Sequence, residues 1–171
     1  MIRARSTERL HLERPDEPHW PSFLAFYGSE RARKLGWART PQAAREFWAL
    51  LHNHWETRGF GWFVLIERAS RRPVGMCGPW APLHLPEPEL AWSLWDDGDE
   101  GRGIAFEAAH AAHACVFGDL GWTTIVSYIN PSNHRSIALA ERLGARLDPN
   151  APQPENKDCL VYRHPAPEAL A

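Results

Sequence analysis

Apolar and polar residues alternate along 9–14, the two-residue period of a half-buried strand, and Pro15-Asp16 ends it. Trp20, Phe23, Leu24 and Tyr27 recur at helical spacing and predict a first helix that stops near Gly28. Thr40-Pro41 suits a second helix start, with Thr as N-cap and Pro in the first helical position. Ala44, Phe47, Trp48, Leu51 and Trp55 then mark one face of a helix running to Gly59. The run 62–66 is continuously apolar and predicts a buried strand. A polar turn at 69–72 leads to its antiparallel partner at 73–80, where Gly75 and Gly78 permit a bulge or close packing. After a proline-rich connection comes a strand over 89–95, then a helix over 104–120, a strand over 123–129 and a helix over 133–143 ended by Gly144. Residues 145–147 and 159–163 read as the last two strands, separated by a polar, Pro-containing stretch, and a loose tail follows from 165. The order β, α, α, β, β, β, α, β, α, β, β predicts a layered α/β (α+β) single domain over 1–171, with its core at about 7–164. Three consecutive strands in the middle exclude a doubly wound sheet.

Composition narrows the function classes. A net charge of −2 offers no strong pull toward nucleic acid or anionic membrane. The N-terminal arginines and the pair Arg31 and Arg33 read as solvated surface. Cys77, Cys115 and Cys159 are odd in number, without a CxxC, and predict reduced structural thiols in a cytoplasmic protein. No apolar run is long enough to span a membrane, and the N-terminus has no signal-peptide core. Nine tryptophans are unusual for this length; core packing is the default, with a pocket wall as the alternative for the set Trp20, Phe26, Tyr27, Trp37, Trp48 and Trp55. His110 and His113, and His52 and His54, have helical or alternate spacing but lack further ligands, so no metal is expected.

The most informative stretch is Asp96-Asp97-Gly98-Asp99-Glu100-Gly101-Arg102-Gly103-Ile104-Ala105, between a predicted strand and a predicted helix. Glycines let a backbone approach a ligand closely, and a helix N-terminus offers unpaired N–H groups and a positive dipole end. That arrangement suits a phosphate-bearing cofactor.

Four segments in order carry a family resemblance. They are Thr7-Glu8-Arg9-Leu10-His11-Leu12 (T-E-R-L-x-L), Glu89-Leu90-Ala91-Trp92 (E-[IL]-[GA]-[YW]), Gly101-Arg102-Gly103-Ile104-Ala105-Phe106-Glu107-Ala108 (G-[KR]-G-[YI]-A-x-E-A), and Asn133-His134-Arg135-Ser136 with Glu141-Arg142-Leu143-Gly144 (N-x-x-S…E-[KR]-L-G). Together they resemble the GNAT N-acetyltransferases, in the RimJ/RimL-like branch that acetylates N-termini of ribosomal proteins and other amines. The resemblance implies a mostly antiparallel sheet whose two central strands splay into a V that takes acetyl-CoA. It implies that the pantetheine arm pairs with backbone at Leu94 and Trp95. The diphosphate would rest on N–H groups of Gly101, Arg102, Gly103, Ile104 and Ala105, with Asn133 also contacting the cofactor or only capping its helix. Glu100 departs from the family's usual Gln or Arg, and the neighbouring acids Asp96, Asp97 and Asp99 are expected to face solvent, with Arg102 offsetting part of their repulsion.

Acetyl transfer to an amine needs deprotonation of an ammonium, a donor for the oxyanion and an acid for the thiolate. Glu89 is the candidate base, direct or through water, and otherwise a surface or substrate-binding carboxylate; Glu87, His84 and Glu107 are rivals, Glu107 being explained equally by the helix dipole. The oxyanion donor is expected among backbone N–H groups at the Leu94–Trp95 end of the strand. Where many family members carry a Tyr seven residues after the Asn, this chain has Ala140, so Ser136 is the candidate acid by resemblance, with helix capping as its alternative. The expected activity is transfer from acetyl-CoA to a primary amine on a peptide N-terminus or small molecule, by a monomer or homodimer. The alternative is a catalytically weak acyl-CoA-binding or regulatory module.

Overall fold

The computed structural model describes residues 2–155 and 158–166. Eight strands form one sheet in the order β1-β2-β3-β4-β5-β6-β8-β7. They are β1 (Arg5–Ser6), β2 (Leu10–Glu13), β3 (Phe63–Glu67), β4 (Pro73–Trp80), β5 (Glu89–Leu94), β6 (Ile125–Ile129), β7 (Arg146–Leu147) and β8 (Leu160–His164). Five helices flank them: α1 (Trp20–Tyr27), α2 (Glu30–Lys34), α3 (Pro41–Arg58), α4 (Ile104–Ala114) and α5 (His134–Arg142).

Local chemistry sets most of these boundaries. The Thr40 side chain accepts the Ala43 N–H at 3.2 Å to open α3, and Gly59 closes it in the left-handed conformation at φ 74°. Gly144 at φ 85° ends α5, donating its N–H to Glu141 O. Several predicted boundaries differ, among them the strand expected over 123–129, which begins at Ile125. The 104–120 helix is α-helical only to Ala114, and Cys115–Asp119 continues as a π-helical turn. Trp62 and Trp95 flank strands instead of lying in them. β1 and α2 are additional. The short polar helix α2 is started by Ser29, whose hydroxyl accepts the Ala32 N–H at 3.1 Å. From residue 167 the expected tail lies outside the described residues.

β3 is buried on both faces. Phe63 and Leu65 join Leu10, Leu12, Leu90, Ile104 and Ala108 on the α4 side. Val64 and Ile66 join Phe23, Trp48, Leu51, Met76, Trp80 and Trp95 on the α1–α3 side. The sheet is antiparallel throughout except between β5 and β6, which run parallel. Those two strands share a single register pair, Glu89 with Val126, and then part. At the crotch the Ser127 hydroxyl donates to Leu90 O at 2.6 Å and lies 2.9 Å from His164 Nε2. A side chain thus takes over where the backbone ladder stops.

Candidate active site

A cavity of about 1060 Å³ lies where β5 and β6 part. Strand alternation gives it two faces. Glu89 on β5 and Tyr128 on β6 share the α1–α3 face, because Glu89 is paired with Val126, two residues before Tyr128. Leu90, Trp92 and Ser127 share the opposite face with α4 and α5. The Trp92 indole donates to Ser136 Oγ at 3.2 Å, and Ser136 N donates to Asn133 Oδ1 at 3.1 Å. The cavity therefore brings Glu89, Asn133 and Ser136 together through the sheet. Leu94, Trp95 and residues 101–105 do not line it; they lie further along β5 and on the turn that follows.

Backbone hydrogen bonding decides which groups on β5 face the parting. Trp95 N donates to Val74 O at 2.9 Å, so its N–H is spent on β4. Alternation along an antiparallel pair then turns the N–H and C=O groups of Leu90, Trp92 and Leu94 the other way, toward the splay. Leu90 O receiving Ser127, and Leu94 O receiving Arg31 Nε at 2.9 Å, agree with this. Of the Leu94–Trp95 end, where a donor was expected, Leu94 turns its N–H toward the splay, as Trp92 does, and Trp95 does not. The ring of Trp95 packs in the core, its centroid 5.9 Å from that of Phe26.

The glycine turn has the geometry of an anion cradle. Gly101 and Gly103 are left-handed, at φ 72° and 77°, and a Cβ at Gly101 would meet nothing within 4 Å. Gly103 is the N-cap of α4 and no side chain caps that helix, so its first N–H groups keep no side-chain acceptor. These features fit the diphosphate of a CoA thioester.

Asp96 and Asp97 are exposed, as expected, but the third acid departs from expectation. Asp99 is not solvated: it is 1% exposed and accepts from Arg72 and Arg102, both at 2.7 Å. Arg102 also pairs with Glu67, whose pKa is held down by the Ser70 hydroxyl and the Arg102 guanidinium. Arg31, expected on a solvated surface, pairs with Asp97 and with Glu100 Oε1 at 2.7 Å, and Arg135 pairs with the other oxygen of Glu100. Arg9 is equally engaged. Its backbone N and Nε donate to Glu107 at 2.8 and 2.6 Å, and Nη1 donates to Arg102 O at 2.6 Å. With Thr7 Oγ1 also donating to Glu107, the T-E-R-L segment is clamped to the first turn of α4. Burial pushes the Glu107 pKa up, but the bonds from Thr7 and Arg9 outweigh it and the net shift is downward.

Among the rival bases, Glu87 accepts both Arg163 Nη atoms at 2.8 Å and Glu107 is occupied as above, whereas His84 lines the cavity. His54 lies 2.8 Å from Phe60 O through Nδ1 and accepts Ala81 N through Nε2, an arrangement that fits the neutral ring; burial lowers its pKa. Ala140 is fully buried beside Ile129 and Tyr162. Tyr128 was not picked out by the sequence. Its hydroxyl accepts Glu87 N at 3.2 Å, keeping its own proton to donate, and burial raises its pKa. Of the aromatic set, Tyr27 and Trp37 line the cavity, Trp37 from the segment after α2. Trp20, Phe26, Trp48 and Trp55 do not line it, whereas Phe47, Trp62 and Trp80 do.

The splayed sheet, the glycine turn and the cavity between them are features of an acetyltransferase. The sequence profile of the acetyltransferase (GNAT) domain matches residues 9–146. An acetyltransferase from Agrobacterium tumefaciens str. C58 is 34% identical, over 96% of this chain and 95% of that one, with a TM-score of 0.87. A ribosomal-protein-S5-alanine acetyltransferase from Vibrio fischeri shares the fold at 14% identity, covering 98% of both chains, with a TM-score of 0.77. So does a microcin C7 self-immunity acetyltransferase solved with acetyl-CoA and AMP, at 14% identity and 93% of both chains, with a TM-score of 0.73. The chain belongs to the GNAT acetyltransferase family, whose members use acetyl-CoA and an amine acceptor. No helix among the described residues is long and apolar enough to cross a membrane.

Proposed function

We propose that this chain is an N-acetyltransferase that moves an acetyl group from acetyl-CoA to a primary amine by direct attack within a ternary complex. The observation that carries the reading is the cavity through the sheet, which puts a carboxylate on one face within the same space as a hydroxyl on the other. Acetyl-CoA supplies the activated acetyl thioester; N–H groups of Gly101, Arg102, Gly103, Ile104 and Ala105 hold its diphosphate at the start of α4. Glu89 accepts the proton of the acceptor ammonium, directly or through a water, freeing the lone pair that forms the new N–C bond. The N–H groups of Trp92 and Leu94, which β4 leaves free, donate to the charge that develops on the carbonyl oxygen. Ser136 Oγ, held toward the cavity by the Trp92 indole, donates to the sulfur as the C–S bond breaks. Asn133 supports this arrangement by capping α5.

Thiol release from acetyl-CoA, followed with a panel of primary amines, tests the reading. CoA binding without thiol release on any amine would replace it with the acyl-CoA-binding module. Glu89→Gln is expected to lower kcat/KM mostly at the acidic end of the profile, where the amine is still protonated, while CoA affinity stays unchanged. A pH profile parallel to that of the unsubstituted enzyme would remove Glu89 as the base.

A further inference from the structure

The part of the cavity on the α1–α3 face is walled by rings. Trp80 on β4 is the direct register partner of Glu89 on β5, so their side chains stand side by side on that face. Trp62 lies next to Trp80, with ring centroids 5.5 Å apart, and Phe47 is 6.0 Å from Trp62. Tyr27 extends the wall, 5.8 Å from Phe47.

The backbone is built to hold this wall. The Trp55 indole donates to Trp62 O at 3.0 Å. A Cβ at Gly61 would collide with the Trp55 ring, and one at Gly78 with Gly61 O, so glycine at both sites lets the segment before β3 press onto β4. Core packing accounts for Trp48 and Trp55, which are 2% and 1% exposed, and largely for Trp80 and Tyr27, at 4% and 5%, whereas Phe47 and Trp62 are partly exposed. It does not account for Leu35, Trp37 and Leu50, which line the same cavity yet remain 36%, 39% and 44% exposed. Large apolar side chains left in water around one opening mark a place where an apolar ligand is received.

The charges are few and mixed. Glu46, Glu89 and Asp158 line the cavity, against Lys34 and Arg39. Arg39 lies over the rings of Phe47 and Tyr27, 4.5 and 5.5 Å from their centroids. A polycationic acceptor would need several carboxylates spaced along its length. Here the neighbour across the strand pair from Glu89 is an indole.

We infer that the acceptor is a singly charged primary amine carried on an aromatic or similarly flat apolar group, its ammonium at Glu89 and its ring against Trp62, Trp80 and Phe47. This rests on the N-acetyltransferase reading above and names the acceptor class within it.

The test compares 2-phenylethylamine, n-butylamine and spermidine as acceptors, with acetyl-CoA saturating. The aromatic amine is expected to exceed butylamine by at least about tenfold in kcat/KM, and spermidine to be the poorest, as fits the burial of one ring. Phe47→Leu, which keeps an apolar side chain but removes the ring, and the more exposed Trp37→Ala should each cut the aromatic advantage by about threefold or more, chiefly through KM. Having both variants guards against loss of folding in one. Spermidine equal to or better than 2-phenylethylamine, or an advantage untouched by both variants, would overturn the inference and leave N-acetyltransfer standing. If no amine releases thiol, the functional reading fails, and the wall is judged by titrating tryptophan fluorescence with each amine. Saturable quenching by 2-phenylethylamine, weakened by Phe47→Leu, supports the wall. Indifference to the amine used overturns it.

Discussion

The two ends of the active site are built from opposite materials. On the α1–α3 face, where the proposed function puts the acceptor, Tyr27, Phe47, Trp62 and Trp80 make a wall in which contact is broad and orientation loose, and Glu89 is set beside it. Around the glycine turn, carboxylates and guanidiniums alternate in short, directed pairs: Arg31 with Asp97 and Glu100, Arg72 and Arg102 with Asp99, Arg9 with Glu107. Under the proposed function, the difference follows from what each end would recognise. A diphosphate requires fixed N–H directions and a backbone that cannot shift, whereas an apolar acceptor requires shape and dryness. The acidic run that looks hostile to phosphate is therefore part of the frame, with its charge matched by arginines from α2, from the turn before β4, from the glycine turn itself and from α5.

Substitutions at one end should leave the other intact. The largest effect is expected from Gly103→Val. A β-branched residue at φ 77° is strained, and its Cβ would sit 3.3 Å from Arg9 Nη2 and press on that guanidinium. CoA affinity measured by calorimetry should fall by about 100-fold, with amine binding by fluorescence unchanged. Unaltered CoA affinity in a folded variant would move the diphosphate elsewhere. Ser136→Ala, at the junction, should lower kcat by about 10–100-fold at every pH while both binding constants hold. A smaller effect belongs to Glu100→Gln, which removes an anion and releases Arg31 and Arg135 toward the phosphates. CoA should bind about threefold tighter at low ionic strength, and the gain should vanish in high salt. Equal affinities at low salt would show that the Glu100 network is closed off from the ligand.

The last effect is silent at neutral pH. His164 is buried against Ser127 and His113, and burial, reinforced by His113, pushes its pKa from 6.5 down to about 3. Between those values the unfolded chain binds the proton that the folded one refuses. Stability is therefore complete above pH 6.5 and declines as pH falls toward 3. His113, lowered in the same direction by burial and His110, adds to this. Melting temperatures of His164→Gln should show a shallower acid limb than the parent, and an unchanged limb would assign acid lability to other groups.

Much of the frame was legible because its signals are local. Thr40 and Gly59 bracket α3, and alternation placed β4 and β5 well enough to put Glu89 on the face of β5 that it shares with Trp95. The glycine turn was legible for the same reason, since strand, Gly101, Gly103 and helix follow one another directly along the chain. Elements with little apolar periodicity escaped: α2 is Glu-Arg-Ala-Arg-Lys, and β1 spans two residues. Arg102, three positions from Asp99, was legible as a partner of the acidic run, but the others escaped because they come from 27 to 69 positions away, as with Asp99–Arg72 and Glu100–Arg31, and no spacing rule joins them. Of the cavity rings, Phe47, Trp62 and Trp80 escaped because periodicity tells which residues are apolar, not which border an opening once α3 and the segment before β3 have packed. Phe47 sits on the predicted helix face with Trp48, yet only the first reaches the opening.

The single register pair between β5 and β6 has a consequence for how the molecule breathes. β1 to β5 are laddered to one another, and β6, β8 and β7 likewise, but among the described residues the two sets share one ladder pair, Glu89–Val126, beside the Val126 N–H to Pro88 O bond at 3.2 Å and the Ser127 bridge. The sheet is therefore a long cooperative block joined to a short one by a narrow hinge of hydrogen bonds. In native-state hydrogen exchange the amides of β6, β8 and α5 should open together, at lower free energy than those of β3 and β4. A ligand spanning the parting would then raise the protection of the short block without touching most of its residues.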